Sequence, residues 1–376
     1  MEQDHRLREV VALSLIGRMG PVTFKRVREA VQEDLSKLFS MTREEFDRLA
    51  VPRLSYSDLK AADLFKEADR QMEKAAENGI KVVTFFDGDY PQELKEIYDP
   101  PILLYVKGNL PSSQAPKVAV VGSRLATFYG LQMARRISGD LAGAGVVIVS
   151  GFAKGIDLAA HEGALAGGGV TIAVLAGGLL QHLRAHPNQK ILDKITEKGA
   201  LVSEYPLETA PQPGFFPVRN RIISGLSRAV LVVQAAERSG ALITADAALE
   251  QGRDVFAVPG NADVSRSAGV NRLIQQGAKL TVSASDILEE LCWETRDIPG
   301  ALPDTAPLKN GSKREVSLST EEEKVLSCLN GEALSIDELA ETSCFPASRL
   351  AAALSLLELK GLIRQMPGKN FKKVEA

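Results

Sequence analysis

Short apolar runs recur through the middle of this 376-residue chain, at 118–121, 146–149, 171–175, 229–233 and 255–258. Apart from Thr171 they are apolar throughout rather than at alternate positions, the pattern of parallel strands buried on both faces. The stretches between them carry helical spacing, so 115–293 predicts a doubly wound parallel α/β sheet. In such a sheet, ligands bind beyond the carboxyl ends of the strands, near the point where strand order reverses. Two more strands are expected at 81–86 and 102–106, with an Asp-Gly turn between them. Residues 1–80 lack strand alternation. Val10, Val11, Leu13 and Leu15 start a helix, Gly17 and Gly20-Pro21 break it, and Phe24, Val27 and Val31 resume helical spacing. Residues 296–316 are rich in Pro, Gly and polar side chains and read as a linker. Then Ser319 and Thr320 with Glu322 and Glu323 make a helix start. Val325, Leu326 and Leu329 form an apolar stripe, further helices fit 335–341 and 346–360, and a hairpin with its tip at 367–370 follows. The expected organisation is a helical domain at 1–80, an α/β domain at 81–295, a linker at 296–316 and a helix-and-hairpin module at 317–376.

Composition narrows the function classes. Hydrophobic residues are 45% and charged residues 25% of the chain, as in soluble globular proteins. No apolar run approaches the roughly 20 residues of a membrane span. The start MEQDHRLREVVAL lacks a basic region followed by an apolar core, so a secretory signal is not expected. Cys292, Cys328 and Cys344 are scattered and odd in number. That fits a reducing compartment, and a cytoplasmic location is expected. A formal net charge of −3 means that any nucleic-acid binding must come from a local patch. Three helices and a hairpin look like a winged helix, a module that binds DNA or protein. Its last stretch carries Arg349, Lys360, Arg364, Lys369, Lys372 and Lys373 against Glu358 and Glu375, but its second helix is acidic. Both partners stay open. Residues 16–21 loosely resemble a helix-hairpin-helix turn able to hold a phosphate; an ordinary glycine turn in a small helical bundle is the favoured reading.

The loops after the central strands carry the candidate chemistry. Gly122-Ser123-Arg124 follows the run 118–121. A dinucleotide site would need a second glycine at 124, where the backbone approaches a pyrophosphate. Arg124 fills that space and places a bidentate phosphate binder at the sheet end. Ser150-Gly151-Phe152-Ala153-Lys154-Gly155 could form a phosphate-sized loop at a helix N-terminus; alternatively, Gly151 and Gly155 only permit tight strand-to-helix packing. Phe215-Phe216-Pro217-Val218-Arg219-Asn220-Arg221 suits a basic pocket with a stacking platform, although a core phenylalanine and an ion-paired arginine fit parts of it. Ser239-Gly240 would cap a helix whose free N–H groups meet another phosphate. Asp157 and His161, four apart on one helix, could suggest acid–base chemistry. His5, His182 and His186 form no supporting motif, so no metal is expected. No Walker A sequence supports nucleotide hydrolysis. No cofactor and no catalysis are expected.

The order GSR, SGFAKGID-AH, FFPVRNRIISGLS, RSGALIT, GRDVFAVPG and GVNRLIQQGA closely resembles the DNA-processing protein A family (DprA/Smf). The resemblance covers the α/β domain end to end. With less specific motifs it extends to the N-terminal helical (SAM/helix-hairpin-helix-like) and winged-helix parts. It implies an extended Rossmann-like fold and a single-stranded DNA-binding protein of natural transformation. Such a protein protects incoming strands, loads RecA onto them and forms a homodimer through the Rossmann-like domain, here around Asn271-Arg272-Leu273-Ile274. By position, Arg124, the loop 150–155 and Arg219-Asn220-Arg221 match the DNA-binding motifs, with Phe215 and Phe216 near the strand. Two departures stand out. Gln234 lies where the family usually has Glu, and a Tyr-Pro-containing stretch appears here as LLQHLRAHPNQKIL, leaving Arg184 and Lys190 as further candidate phosphate contacts. A nucleotide-binding or nucleotide-hydrolysing Rossmann protein and a winged-helix regulator of duplex DNA are the alternative readings.

Overall fold

The computed structural model describes residues 2–17, 19–184, 187–293, 320–329, 334–343, 345, 349–350, 353–354, 357, 362–366 and 370–373. The chain divides into two compact units, Met1–Pro303 and Asp304–Ala376.

The first unit begins with α1 (Glu2–Leu15), α2 (Pro21–Ala30), α3 (Leu35–Ser40), α4 (Arg43–Leu49), α5 (Tyr56–Leu59) and α6 (Leu64–Glu77). Next come β1 (Ile80–Thr84), α7 (Gln92–Lys95) and β2 (Leu103–Gly108). The nucleotide-type part then alternates: β3 (Lys117–Gly122), α8 (Phe128–Gly143), β4 (Val147–Ser150), α9 (Ile156–Ala166), β5 (Thr171–Val174), α10 (Leu179–Leu183), α11 (Gln189–Lys198) and β6 (Ala200–Ser203). It continues with α12 (Phe215–Gly225), β7 (Ala229–Gln234), α13 (Gly240–Glu250), β8 (Asp254–Ala257), α14 (Ala268–Gln275), β9 (Lys279–Leu280) and α15 (Ala284–Glu290).

Among the described residues these strands form one nine-stranded sheet in the order β1-β2-β6-β5-β4-β3-β7-β8-β9. The five apolar runs are β3, β4, β5, β7 and β8, and their ladders are parallel. The sheet is nevertheless mixed. β2 pairs antiparallel with both β1 and β6, so an antiparallel edge extends the parallel core.

Alternate residues of each strand feed opposite layers. Ala119, Val121, Val230 and Val232 pack with Ile222, Ile223, Ala245 and Val270 from α12, α13 and α14. Val118, Val120, Leu231 and Phe256 pack with Ile137, Leu141, Ala160 and Ile287 from α8, α9 and α15. The N-terminal helices share a third cluster with strand residues: Val10, Leu13, Leu38 and Ala68 lie in one core with Leu103, Tyr105, Ala173 and Leu201. Consecutive strands step from β3 through β4 and β5 to β6, and the chain then returns to place β7 on the other side of β3. The switch point is therefore between β3 and β7.

The second unit holds α16 (Thr320–Cys328), β10 (Leu334–Ser335), α17 (Ile336–Ser343), β11 (Ile363–Met366) and β12 (Asn370–Lys373). Its strands pair antiparallel in the order β10-β12-β11. Val325, Leu329, Leu339, Leu350, Leu354, Leu357, Ile363 and Phe371 form its core. The chain combines an α/β domain with a winged-helix domain. The expected linker and most of the third helix and hairpin tip lie outside the described residues. Among the described residues, no helix is long and apolar enough to cross a membrane.

Candidate nucleic-acid interface

A cavity of about 350 Å3 opens at the switch point. Its walls are Val121 to Arg124 from the end of β3, Ala153 and Asp157 before and in α9, Phe216 to Ile223 on one side of α12, and Ser239 to Thr244 at the start of α13.

The first wall is set by one side chain. The Ser123 N–H donates to the Gln234 carbonyl across the β3–β7 gap at 2.7 Å. The Gln234 side chain is buried. Its Oε1 accepts the Thr127 N–H at 2.8 Å, and its Nε2 donates to Thr127 Oγ1 at 3.0 Å. Thr127 in turn caps α8 by accepting the Gly130 N–H at 3.2 Å. The Gly122-Ser123-Arg124 loop is thus anchored from both ends by β7. Arg124 is exposed, and its guanidinium lies 4.5 Å from the centroid of the Phe216 ring. This is cation–π range and holds the charge at the cavity mouth.

The loop 150–155 clasps the first loop instead of making a separate cradle. Gly155 has φ 85°, and a Cβ there would lie 2.8 Å from the Arg124 carbonyl oxygen. The Ile156 N–H donates to the Ser123 carbonyl at 3.2 Å. Ser150 is fully buried, and its hydroxyl donates to the Val120 carbonyl at 2.6 Å. The Gly151 carbonyl accepts from Arg219 Nη1 at 2.7 Å. For Gly151 and Gly155 the packing role is therefore the one observed. Lys154 stands exposed on this loop.

The motif on α12 splits by direction. Arg219 is 3% exposed and lines the cavity floor. Its Nη1 also donates to the Val174 carbonyl. Burial pulls its pKa down to about 10, with Asp157 opposing the shift. Asp157 is raised by burial, opposed by Arg219 and by N–H groups of Ala153 and Gly151. Asn220 reaches the Gly240 carbonyl at 3.3 Å and ties α12 to α13. Phe216 faces the cavity, whereas Phe215 stacks on Tyr205 at 4.2 Å and 23°. Arg221 faces away. It binds Glu204 at 2.6 Å and Asp99 at 2.9 Å. Burial depresses its pKa, but these two carboxylates outweigh that and leave it raised.

Of the expected phosphate contacts, Gly122, Ser123, Arg124, Phe216, Arg219, Asn220, Ser239 and Gly240 line the cavity. Ser150, Gly151, Lys154, Gly155, Phe215 and Arg221 do not. For Ser150 and Arg221 this corrects the expectation, because the hydroxyl proton and the charge are already engaged inside the fold. Arg184 pairs with Glu208 at 2.7 Å, alongside Arg70 and Lys74, while Lys190 is exposed on α11. In the late segment, Asn271 exchanges two hydrogen bonds with the Gly260 backbone and Leu273 is in the core, leaving Arg272 exposed. Ser239 caps α13 by accepting the Ala241 N–H at 3.3 Å, so the positive end of that helix borders the cavity.

Asp157 and His161 do not meet. Asp157 borders the cavity; His161 is fully buried. Thr171 gives its hydroxyl proton to the Ile148 carbonyl at 2.7 Å, so His161 Nδ1, 2.7 Å from Thr171 Oγ1, carries a proton and donates. Burial holds the imidazole neutral, with its pKa down to about 3. Sequence reasoning missed Gln234 as an anchor and Thr244 as a cavity residue. The only sequence signal for Thr244 is its place one turn after Gly240.

The family model for DNA recombination-mediator protein A matches residues 81–292, and that for the DprA winged helix domain matches 312–369. Protein Smf of Escherichia coli is 42% identical over 280 residues, covering 74% of either chain. The X-ray structure of DNA processing protein A from Streptococcus pneumoniae superposes with a TM-score of 0.63 at 37% identity, over 75% of this chain and 97% of that one. A structure of DNA processing protein A from Helicobacter pylori, described for its single-stranded DNA binding mode, gives 0.50 at 30% identity over 56% and 96%. The chain belongs to the DNA recombination-mediator protein A (DprA/Smf) family.

Proposed function

We propose that this chain binds single-stranded DNA in the switch-point cavity. In this reading it acts in natural transformation, where it shields incoming strands and loads RecA onto them as a homodimer of the sheet domain. The observation that carries the binding is Arg124, an exposed guanidinium held on the Phe216 ring, above a buried Arg219. A phosphate at the mouth meets Arg124 and the start of α13, and a base meets the Phe216 ring. The single-stranded DNA binding named for the Helicobacter pylori relative supports this ligand. Arg124, standing where a dinucleotide fold needs glycine, disfavours a pyrophosphate cofactor. The chemistry asked of the site is binding rather than catalysis: His161 is buried away from the cavity.

One cavity grips only a few nucleotides, and a dimer would place two on one strand and gain by effective concentration. RecA filament assembly on single-stranded DNA, followed with and without this protein, tests the downstream role. Faster nucleation and slower nuclease digestion of the strand are expected. Tight strand binding with neither effect would confine the protein to a storage role.

A further inference from the structure

Arg124 also lines a second cavity of about 350 Å3, set between α8 and α9. The first cavity lies against α12 and α13, so the two open on opposite faces of the sheet and share the residue Arg124. The second is apolar at its base, where Leu131, Leu158 and Ala159 meet. Its charged rim is self-compensated, with Arg135 and Glu162 paired at 2.8 Å. Next to it Leu125 and Phe128 are each 74% exposed. Both lie in the eight-residue stretch 122–129 that also carries Arg124, so large apolar side chains are exposed close in sequence to the cation. Tyr129 is half-exposed beside them, with its hydroxyl fixed on the Pro259 carbonyl at 3.1 Å. Among the described residues, no carboxylate pairs with Arg124.

Arg124, a cation with the Phe216 ring on one side and an apolar groove on the other, matches a nucleic-acid strand, in which a phosphate joins two bases. Resting on the single-stranded DNA reading above, we propose that the strand crosses Arg124 and seats its next base in the α8–α9 groove, against Leu125, with Phe128 as the outer stacking surface. The charge argues for this occupant: a purely apolar partner would leave Arg124 buried without a counter-charge at the junction.

The test compares the full chain with Leu125→Ser and Phe128→Ser, both at exposed positions, using oligothymidine and an abasic strand of equal length. Each variant should bind oligothymidine about tenfold more weakly, a stacking-sized loss, with an unchanged salt slope because no phosphate contact is removed. The abasic strand, which has phosphates and no bases, should bind all three proteins alike. Leu125→Tyr, which enlarges the stacking surface, should tighten oligothymidine binding, a gain that misfolding cannot produce. Normal binding by both serine variants, while Arg124→Ala still loses affinity, would overturn the groove alone. Normal binding with weakened self-association would overturn it in favour of a contact between copies. Insensitivity to Arg124→Ala would instead remove the reading on which the groove rests.

Discussion

Arg219 occupies the space that a side chain on residue 151 would need. A Cβ built on Gly151 falls 2.6 Å from the Arg219 Cζ, and the Gly151 carbonyl is one of the acceptors that hold that guanidinium in the cavity floor. Gly151→Ala should therefore displace Arg219, destabilise the fold by about 1–3 kcal/mol as overpacking does, and weaken strand binding as well. Denaturant unfolding and oligonucleotide titration of this variant check both. Wild-type values in both assays would mean that the arginine is free to move.

Arg221 on α12 and Arg124 in the loop after β3 should separate in their effects. Arg221→Ala leaves Glu204 buried with its remaining cation removed, and loss of one member of a buried pair costs about 3–5 kcal/mol. Arg124→Ala removes an exposed side chain and should leave the unfolding midpoint unchanged within about 0.5 kcal/mol. Chemical denaturation of the pair distinguishes them; equal destabilisation would contradict the assignment of Arg221 to the fold.

Gln234 should tolerate the residue its family usually carries there. Both the N–H and the hydroxyl of Thr127 can donate to a carboxylate at 234, so Gln234→Glu is expected within about 1 kcal/mol of wild type. Gln234→Ala leaves the part-buried Thr127 N–H without its acceptor and should cost about 1–3 kcal/mol. Melting curves of the two variants test this, and a larger loss for Glu than for Ala would refute it.

Stability should fall in mild acid because of His161. Its folded pKa is lowered to about 3 from an ordinary 6.5, chiefly by burial. The unfolded chain thus takes up a proton that the folded chain refuses. The contribution is present above about pH 6.5 and is lost as pH falls toward about 3, at up to about 1.4 kcal/mol per pH unit. Asp157 and Glu204, both raised by burial, act in the opposite sense, since the folded chain protonates them first. Comparison with His161→Phe isolates the histidine. The variant should lose less stability between about pH 6.5 and pH 5, and parallel curves would contradict the effect.

The parts of the fold that the chain displays openly are those in which one segment decides its own environment. An all-apolar run such as 229–233 needs cover on both faces, and only a parallel core supplies it. β9, at two residues, is too short to give a period. The cavity was legible through Arg124 and Phe216, but the fate of the neighbouring arginines was not. Successive helical positions turn by about 100°, so Arg219 and Arg221 point to different surroundings. Of the carboxylates that claim Arg221, Asp99 lies 122 positions away and Glu204 lies 17 away on a separate segment after β6. Gln234 was noticed as a departure, yet its partner Thr127 lies 107 positions away.

The most direct measurement is the affinity of the full chain for single-stranded and duplex oligonucleotides of one length, across a salt series, for wild type and Arg124→Ala. A clear preference for the single strand is expected. So are at least a tenfold loss in Arg124→Ala and a salt slope shallower by about 0.7 log units for the one phosphate contact removed. Tighter binding to duplex, unaffected by Arg124→Ala, would contradict the strand-binding reading and move DNA binding from the cavity to the winged-helix unit.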